Sequence, residues 1–509
     1  MLFNSYTFLF AFLPLTLLGF AVLANIGNAR AVMLWLLAMS LVFYAWWNPV
    51  YLILLIGSVV VNHGLGRILA QGTRAGVANK PVLIAGIALN LGLIGWFKYL
   101  GFFAGIADAV SGAGFGPVEV ALPLAISFFT FQQIAYLVDC HKGIAGEGDF
   151  FKYALFVTFF PQLIAGPIVH HSEVMGQYER AFSKSLSSRH AAIGLTLIAA
   201  GLFKKVVIAD HLALYASPVF ADADAGMSLG FARAWSGTLA YTLQIYFDFS
   251  GYSDMAVGLA RLFGVRLPVN FFSPYRTTSI IEFWRRWHMT LSRFLRDYLY
   301  VPLGGSRKGA PRRYVNLMVT MLLGGLWHGA GWTFVVWGGL HGLFLIINHG
   351  WRHIRKRFGW QGQGTAYRLV AWAVTFFAVA LAWVFFRAET FGGAMIMLHG
   401  MAGLNDLLPA LGIVDGAVIA DQDVNFQTAR RAWRWIAVAL VIAVAMPNIY
   451  QLMRRYRPAL GVPDKRFKLP GGIRPEWRLT MPWAFGSAVL ALVAFLMLTQ
   501  VSEFLYFRF

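Results

Sequence analysis

The sequence is poor in charged residues and in cysteine. Only 13% of its 509 residues are Asp, Glu, Lys or Arg, whereas a soluble protein carries about 25%. Its single cysteine, Cys140, excludes an internal disulfide and a cysteine-based metal cage, and we expect an inert, packed thiol there. Hydrophobic residues make up 58% of the chain, and the mean hydropathy is +0.62. These values indicate a polytopic membrane protein.

The net charge of +20 also restricts the possible binding partners. In a soluble chain it would favour nucleic-acid binding. Here Lys and Arg cluster in short loops beside apolar runs, which is the positive-inside pattern and also attracts anionic lipid headgroups. We therefore expect membrane lipids, and no nucleic acid, as partners.

Apolar runs recur along the chain and predict a single integral-membrane domain over residues 1–509, all-α, with about ten to twelve transmembrane helices and both termini outside the cytoplasm. The first run lacks a basic segment and a cleavage site, so a retained span is expected rather than a signal peptide. The expected spans lie near 6–23, 31–47, 49–63, 81–103, 122–138, 191–209, 235–258, 367–386, 434–453 and 481–501.

Three other segments depart from this simple pattern. Residues 152–168 contain Pro161 and Gly166-Pro167 between cationic flanks, which predicts a broken or re-entrant helix. Segment 261–313 is too rich in Arg to cross and is expected to lie at the cytoplasmic face. Segment 314–351 is apolar with basic ends, which predicts a hairpin. Two acidic loops are expected outside the cytoplasm, with Asp210, Asp222 and Asp224 in the first and Asp406, Asp415, Asp421 and Asp423 in the second.

Polar side chains interrupt two of the expected spans. The run at 122–138 carries Gln132 and Gln133 and is expected to face an interior cavity, because lipid does not tolerate such groups. The run at 235–258 carries Asp248, Tyr252 and Asp254. They indicate either a functional polar interior or hydrogen bonds between helices.

A basic aromatic segment begins at Glu282. Treated as one helix, it puts Arg285, His288, Ser292 and Arg296 on one face, and Trp284, Trp287, Leu291, Phe294 and Tyr298 on the other. This pattern is typical of an amphipathic helix at a membrane interface. A plain membrane anchor would explain the Trp and Arg residues, but it explains His288 less well.

His328 lies in an apolar, glycine-containing run. Burial disfavours the imidazolium, so a neutral ring that can accept a proton is expected, as a general base requires. A hydrogen bond between helices remains the alternative, and His341 and His349 are equally candidates for satisfied partners. No carboxylate stands at ligand spacing from these histidines, so a metal site is not expected.

Several motifs resemble the membrane-bound O-acyltransferase family, in its bacterial branch that includes alginate O-acetyltransferases. The two most specific are FWRRWHMTLS at Phe283–Ser292 and LWHGA at Leu326–Ala330. The resemblance covers essentially the whole chain, because further matches are MLFNS at Met1–Ser5, FFPQLIAGPI at Phe159–Ile168, YFDFSGYSD at Tyr246–Asp254 and YVPLGG at Tyr300–Gly305.

This resemblance implies a catalytic role for His328 and a supporting one for His288. It implies a ring of helices around a thinned centre, with a funnel from each face meeting at these histidines. It also implies an acyl thioester donor such as acetyl-CoA, a polysaccharide acceptor and an extracytoplasmic SGNH-type acetyltransferase partner, in a bacterial cytoplasmic membrane. Candidate substrate-binding residues are Arg285, Ser292, Arg296, Trp327, Tyr252 and Asp254.

Two functions of different classes are compatible with these residues. The first is an O-acetyltransferase acting on a polysaccharide such as alginate, or a relative acting on peptidoglycan, teichoic acid or lipid. The second is a transporter or flippase for an acyl carrier or glycan. The two histidines near a basic segment favour the enzyme, and the absence of an inverted repeat weighs against the transporter.

Overall fold

The computed structural model describes residues 1–77, 79–112, 120–146, 148–184, 186–360, 364–405, 426–464 and 475–498, with positions 467, 472 and 505. Within these ranges the regular structure is helical, and no strand occurs among them. The all-α class expected from the sequence is confirmed. The expected loop with Asp406, Asp415, Asp421 and Asp423 lies outside the described residues.

The first half of the chain forms twelve described α-helices. They are α1 Leu13–Asn25, α2 Ala29–Ala45, α3 Val50–Arg74, α4 Lys80–Ile94, α5 Leu100–Ser111, α6 Ile126–His141, α7 Phe150–Thr158, α8 Phe160–Leu163, α9 His171–Phe182, α10 Ser188–Leu202, α11 Asp210–Asp224 and α12 Phe231–Leu262. Single π turns precede α1 and join α4 to α5 and α10 to α11, at Phe8–Phe12, Gly95–Tyr99 and Phe203–Ala209.

The second half forms nine more among the described residues. They are α13 Ile280–Trp284, α14 Met289–Leu295, α15 Gly309–His328, α16 Trp332–Arg357, α17 Thr365–Arg387, α18 Phe391–Met401, α19 Phe426–Ala445, α20 Ile449–Leu452 and α21 Met481–Leu496. A π turn at Arg296–Tyr300 follows α14, and 3₁₀ turns lie at Pro274–Arg276 and Arg454–Tyr456.

Six helical stretches in the described part of the chain are long and apolar enough to cross a bilayer. They are Phe8–Asn25, Val50–Arg74, Lys80–Ser111, Ser188–Asp224, Thr365–Arg387 and Gln427–Tyr456. Three shorter apolar helices, α2, α18 and α21, add to them. The chain is therefore a multi-pass membrane protein, while the ring around a thinned centre stays a prediction.

The acidic segment at 210–224 corrects one sequence prediction. It forms helix α11 rather than a loop, because protein groups pair with its carboxylates. Asp210 pairs with Lys205 at 2.9 Å, and Asp222 pairs with Arg233. Asp224 accepts the backbone N–H of Thr390 at 2.9 Å. By contrast, the break expected at Pro161 is present, since α7 ends at Thr158 and α8 begins at Phe160.

The chain divides into two compact units. Unit 1 comprises Met1–Phe203, Gly251–Asn270 and Ile449–Phe507, and unit 2 comprises Lys204–Ser250, Phe271–Asn448 and Arg508–Phe509. Within unit 1, α6 packs on α3 and α4. Its glutamines are buried and hydrogen-bonded within the protein: Gln132 donates to the Phe156 carbonyl and Gln133 to the Ser58 hydroxyl, both at 2.9 Å. That this helix faces a cavity stays a prediction.

In unit 2, α15 and α16 form an antiparallel pair whose backbones touch. A Cβ on Gly325 would collide with the carbonyl oxygen of Phe334, and one on Gly338 with that of Met321. Gly329 and Gly331 adopt extended backbone between the helices. The turn expected in segment 314–351 thus follows His328 directly, and close helix approach depends on glycine.

Candidate active site

His328 is the last residue of α15 and lies in unit 2 under a set of aromatic rings. Its side chain is 5% exposed. The rings of Trp327, Trp337 and Phe386 meet it edge to face, with centroids 4.8, 5.1 and 5.1 Å away. These neighbours come from α15, α16 and α17, so the helix pair and α17 together build its surroundings.

His288 also lies in unit 2, but its local structure differs from the prediction. The segment is not one continuous helix: α13 ends at Trp284, and α14 begins at Met289. His288 stands at the break in a left-handed conformation, with φ 41° and ψ 55°. That conformation is uncommon outside glycine and costs about 1 kcal/mol or more. It turns the ring inward, where only 1% of the residue is exposed.

The environment of His288 keeps its ring neutral. Phe249 meets the imidazole edge to face, with ring centroids 4.8 Å apart, and Phe271 lies 6.2 Å away. Burial lowers the pKa of His288 to about 3. An uncharged imidazole can donate from one nitrogen and accept at the other, which suits a residue that orients a substrate.

Three histidines and two tryptophans alternate in space within unit 2. The Trp327 ring lies 6.4 Å from His288 and 4.8 Å from His328. The Trp337 ring lies 5.1 Å from His328 and 4.9 Å from His341. The two predicted catalytic histidines are therefore brought into one aromatic cluster, with Trp327 between them.

A buried tyrosine holds this cluster together. The Tyr275 hydroxyl donates to the Thr242 carbonyl at 2.6 Å and accepts from the Trp383 indole at 3.2 Å. Trp383 in turn lies 4.9 Å from Trp287, the residue before His288. Polar bonds at the edge of the cluster thus fix the rings whose apolar faces surround the histidines.

His341 is the residue whose surroundings sequence reasoning missed. It is completely buried, and neither ring nitrogen has a hydrogen-bond partner among the described residues. Phe283 stacks on its ring at 6.1 Å, and Trp284 meets the ring edge to face at 5.1 Å. His341 is thus not a satisfied partner as the sequence allowed. A buried polar group without a partner is costly, and one explanation is a role toward a ligand.

Comparison with known proteins shows which family and which relatives this chain resembles. The sequence profile of the membrane-bound O-acyltransferase family matches residues 141–388. A peptidoglycan O-acetyltransferase of Helicobacter pylori is 45% identical over 80% of both chains. A probable alginate O-acetylase of Pseudomonas putida is 37% identical over the full length of both. A teichoic acid D-alanyltransferase of Streptococcus thermophilus is 26% identical over 46% of this chain and 58% of its own.

The chain belongs to the membrane-bound O-acyltransferase family. It is therefore an enzyme of acyl transfer, which the sequence predicted, and the transporter alternative gains no support. The family match contains His288, His328 and His341 together with α13 to α17. The roles of the individual histidines stay predictions.

The predicted cationic face of the membrane-bound O-acyltransferase does not form around His288. Arg285 and Arg296 are exposed, whereas His288 is buried, because the break at Trp284 ends the helical periodicity on which the prediction relied. Arg296 pairs with its neighbour Asp297 through two bonds of 2.6 and 3.0 Å. Ser292 donates to the Trp287 carbonyl at 3.3 Å and is half-buried.

The aromatic side of this segment is also placed differently from the prediction. Trp287, Leu291 and Phe294 are buried in the protein instead of facing lipid. Trp287 stacks on Phe283 with centroids 5.6 Å apart. The segment is thus part of the enzyme core of unit 2, and tertiary packing has overridden the amphipathic pattern.

The remaining polar candidates lie elsewhere. Tyr252 and Asp254 belong to unit 1 and are buried, with Tyr252 stacked on Phe3 at 4.6 Å. Asp248 belongs to unit 2 and pairs with Lys205 at 2.6 Å, both side chains being almost fully buried. For Asp248 this favours the structural alternative, an ion pair between helices.

Access to His328 is narrower than the resemblance implied. The three aromatic rings around it leave 5% of the residue exposed. Any ligand that contacts this imidazole would require at least one neighbouring side chain to move, and funnels from both faces stay a prediction. Within the described residues, no three His, Cys, Asp or Glu side chains come together as a metal site would require.

Proposed function

We propose that this protein is an acetyltransferase of the bacterial cytoplasmic membrane. It takes an acetyl group from a cytoplasmic thioester, acetyl-CoA, and passes it toward hydroxyl groups of an extracytoplasmic polysaccharide. The observation that carries the proposal is the placement of His328 and His288 on either side of Trp327 in a buried aromatic cluster. The acetyltransferases of H. pylori and P. putida named above support the acyl group and the acceptor class.

In this proposal His328 acts as the general base. Its neutral imidazole takes the proton of the acceptor hydroxyl while the oxygen attacks the thioester carbonyl. The carbon–sulfur bond then breaks, and the imidazolium returns the proton to the leaving thiolate. The products are an ester and a free thiol, and His328 ends neutral. General-base assistance of this kind contributes about 10²–10⁴ in rate.

His288 supports this step as a neutral partner. Its burial argues against a second cation beside His328, which would disfavour protonation of that imidazole. We assign it the task of orienting an acceptor or donor oxygen by a hydrogen bond. The aromatic rings around His328 exclude water, which protects the thioester from hydrolysis.

The transfer ends outside the cytoplasm, and an SGNH-type acetyltransferase is the proposed partner there. The acceptor is a hexose polymer: both alginate and the glycan of peptidoglycan offer suitable hydroxyls. The relatives named above act on either type, which supports the class and leaves both polymers as acceptors to be tried.

The experiment uses full-length protein in lipid nanodiscs with [¹⁴C]acetyl-CoA and the partner enzyme. Alginate and peptidoglycan fragments are offered in parallel, and label in the polymer is counted. We expect His328→Ala to lower transfer at least about 100-fold, the lower end of general-base contributions. His353→Ala is the matched control, because this histidine lies exposed on α16, and it should leave transfer unchanged. Transfer that survives in folded His328→Ala would remove the proposed role.

A further inference from the structure

Unit 1 contains a cavity of about 780 Å³ that the proposed reaction does not use. The ends of α9 and α12 and the start of α10 line it, and all of its lining residues belong to unit 1. Its volume is in the range of small-molecule sites, about 300–1,000 Å³. The titratable residues that line it are all basic: Arg180, Lys184, Arg189, His190, Arg261 and Arg266.

The positive charge of this cavity is not balanced by the described protein. No Asp or Glu lines it, and its five Arg and Lys residues form no salt bridge within the described ranges. The two carboxylates of the adjoining helix α9 have other partners: Glu179 pairs with Lys152 at 2.6 Å, and Glu173 accepts the His170 N–H at 3.0 Å. Like charges around a concave surface focus a positive potential that attracts anions.

The burial of Arg261 is not explained by the positive-inside pattern, which requires only cations in a loop. It is 7% exposed, and its Nε is buried without a hydrogen-bond partner among the described residues. Burial, with Arg266 and Arg189 nearby, lowers the pKa of Arg261 to about 10, so the side chain keeps its charge at neutral pH. A buried guanidinium without a counter-charge is costly unless an anion binds to it.

The cavity wall is also fixed in place. The Gln177 amide bonds both ways with the backbone of Arg266, donating to its carbonyl and accepting from its N–H, each at 3.0 Å. Arg189 stacks over the Tyr456 ring at 5.3 Å. Gly264 turns the chain after α12 with φ +80°, and a Cβ there would lie 3.2 Å from that of Ala181. The backbone at Arg266 and the side chain of Arg189 are thus held before any ligand arrives, which lowers the entropy cost of binding.

We propose that this cavity binds a phosphate ester that carries at least two negative charges, with Arg261 as its buried anchor and Arg266 and Lys184 at its mouth. Guanidinium groups pair with phosphate oxygens through two parallel hydrogen bonds, and several of them around one pocket favour a phosphorylated ligand over a single carboxylate. The charge distribution along the chain places this face in the cytoplasm. The ligand comes either from a soluble nucleotide or from an anionic phospholipid headgroup.

The test measures binding alone, with full-length protein in phosphatidylcholine nanodiscs. In one arm, adenosine 3′,5′-bisphosphate is titrated and followed by calorimetry. In the other arm, cardiolipin, a phospholipid whose headgroup carries two phosphates, replaces part of the phosphatidylcholine, and the rise in melting temperature is recorded. The variants are Arg261→Gln and the double change Arg266→Gln with Lys184→Gln, which alters only accessible side chains. Lys80→Gln, which changes an exposed cation at the first position of α4 and outside the cavity, is the control.

We expect the variants to lose either nucleotide binding or the stabilisation by lipid, depending on which ligand the cavity takes. If the ligand is soluble, Arg261→Gln weakens binding about tenfold, as expected for one charge-assisted pair. If it is a lipid, the rise in melting temperature shrinks in both variants and persists in Lys80→Gln. Should Arg261→Gln fail to fold, the double variant decides. The proposal is overturned if neither probe acts on the wild type, or if the variants respond as the wild type does. Because no turnover is measured, this result is independent of acetyl transfer.

Discussion

Trp337 meets His328 edge to face, with ring centroids 5.1 Å apart and an interplanar angle of 86°. The same indole contacts Phe386 at 5.1 Å and His341 at 4.9 Å. It is completely buried, at 1% exposure. Trp337 is therefore one of the three rings that shield the imidazole of His328.

Truncation of Trp337 is expected to uncover His328. Trp337→Ala should raise the rate at which diethyl pyrocarbonate modifies His328, measured by mass spectrometry on the intact enzyme. It should also cost about 3–5 kcal/mol of stability, because a large buried side chain is lost. Trp337→Phe keeps a ring in place and should change neither the modification rate of His328 nor the stability of the protein much. Equal modification rates in all three proteins would show that another side chain limits access.

His341 is expected to matter for transfer more than for stability. His341→Leu has a similar volume and removes two buried nitrogens that lack hydrogen-bond partners in the described structure, so the melting temperature should not fall. If His341 binds substrate, turnover in the [¹⁴C]acetyl assay should fall at least about tenfold, the equivalent of 1.4 kcal/mol. Unchanged turnover with raised stability would instead make His341 a packing residue.

The contact between α15 and α16 should be sensitive to substitution of Gly338 but not of the neighbouring Gly339. Gly338→Ala places a methyl group against the Met321 carbonyl and is expected to destabilise the protein by about 1–3 kcal/mol, the usual cost of overpacking. Gly339→Ala is the matched control, since its Cβ would lie 3.5 Å from Leu322 Cδ2, an ordinary contact. It should be neutral or stabilising because alanine favours helix. Thermal unfolding in detergent measures both, and equal shifts would contradict the close approach.

The buried pair of Lys205 and Asp248 should behave as structure rather than as chemistry. Lys205→Met leaves the buried Asp248 carboxylate with less compensation and should cost about 3–5 kcal/mol. Adding Asp248→Asn should recover much of that loss and preserve acetyl transfer. Asp210→Asn is a milder control, because that carboxylate is 24% exposed and reaches water. Loss of transfer in a folded double variant would instead assign Asp248 a part in the reaction.

Patterns near proline and glycine were predictive because they act locally. Pro161 cannot continue the i to i−4 bonding of a helix, and a break does fall beside it. The hairpin expected in segment 314–351 is present, with its turn at Gly329–Gly331 and close approach of its helices at Gly325 and Gly338. Two histidines were expected near one another, and Trp327 lies between them.

Predictions that depended on long-range packing were less successful. The helical face of Arg285, His288 and Arg296 assumed an unbroken period, which the left-handed backbone of His288 interrupts. The charge of Asp222 predicted a loop, because its partner Arg233 cannot be recognised from sequence spacing alone. The surroundings of His341 were missed for the same reason, since Phe283 and Trp284 belong to α13 whereas His341 lies on α16.

The glycine contact between α15 and α16 has a consequence for how the enzyme opens. Two helices whose main chains touch have no side-chain layer to slide upon, so His328 and Trp337 travel together as one stiff body. Admission of a substrate must then come from rotation of an individual ring, such as Trp327, or from displacement of α17, which carries Phe386.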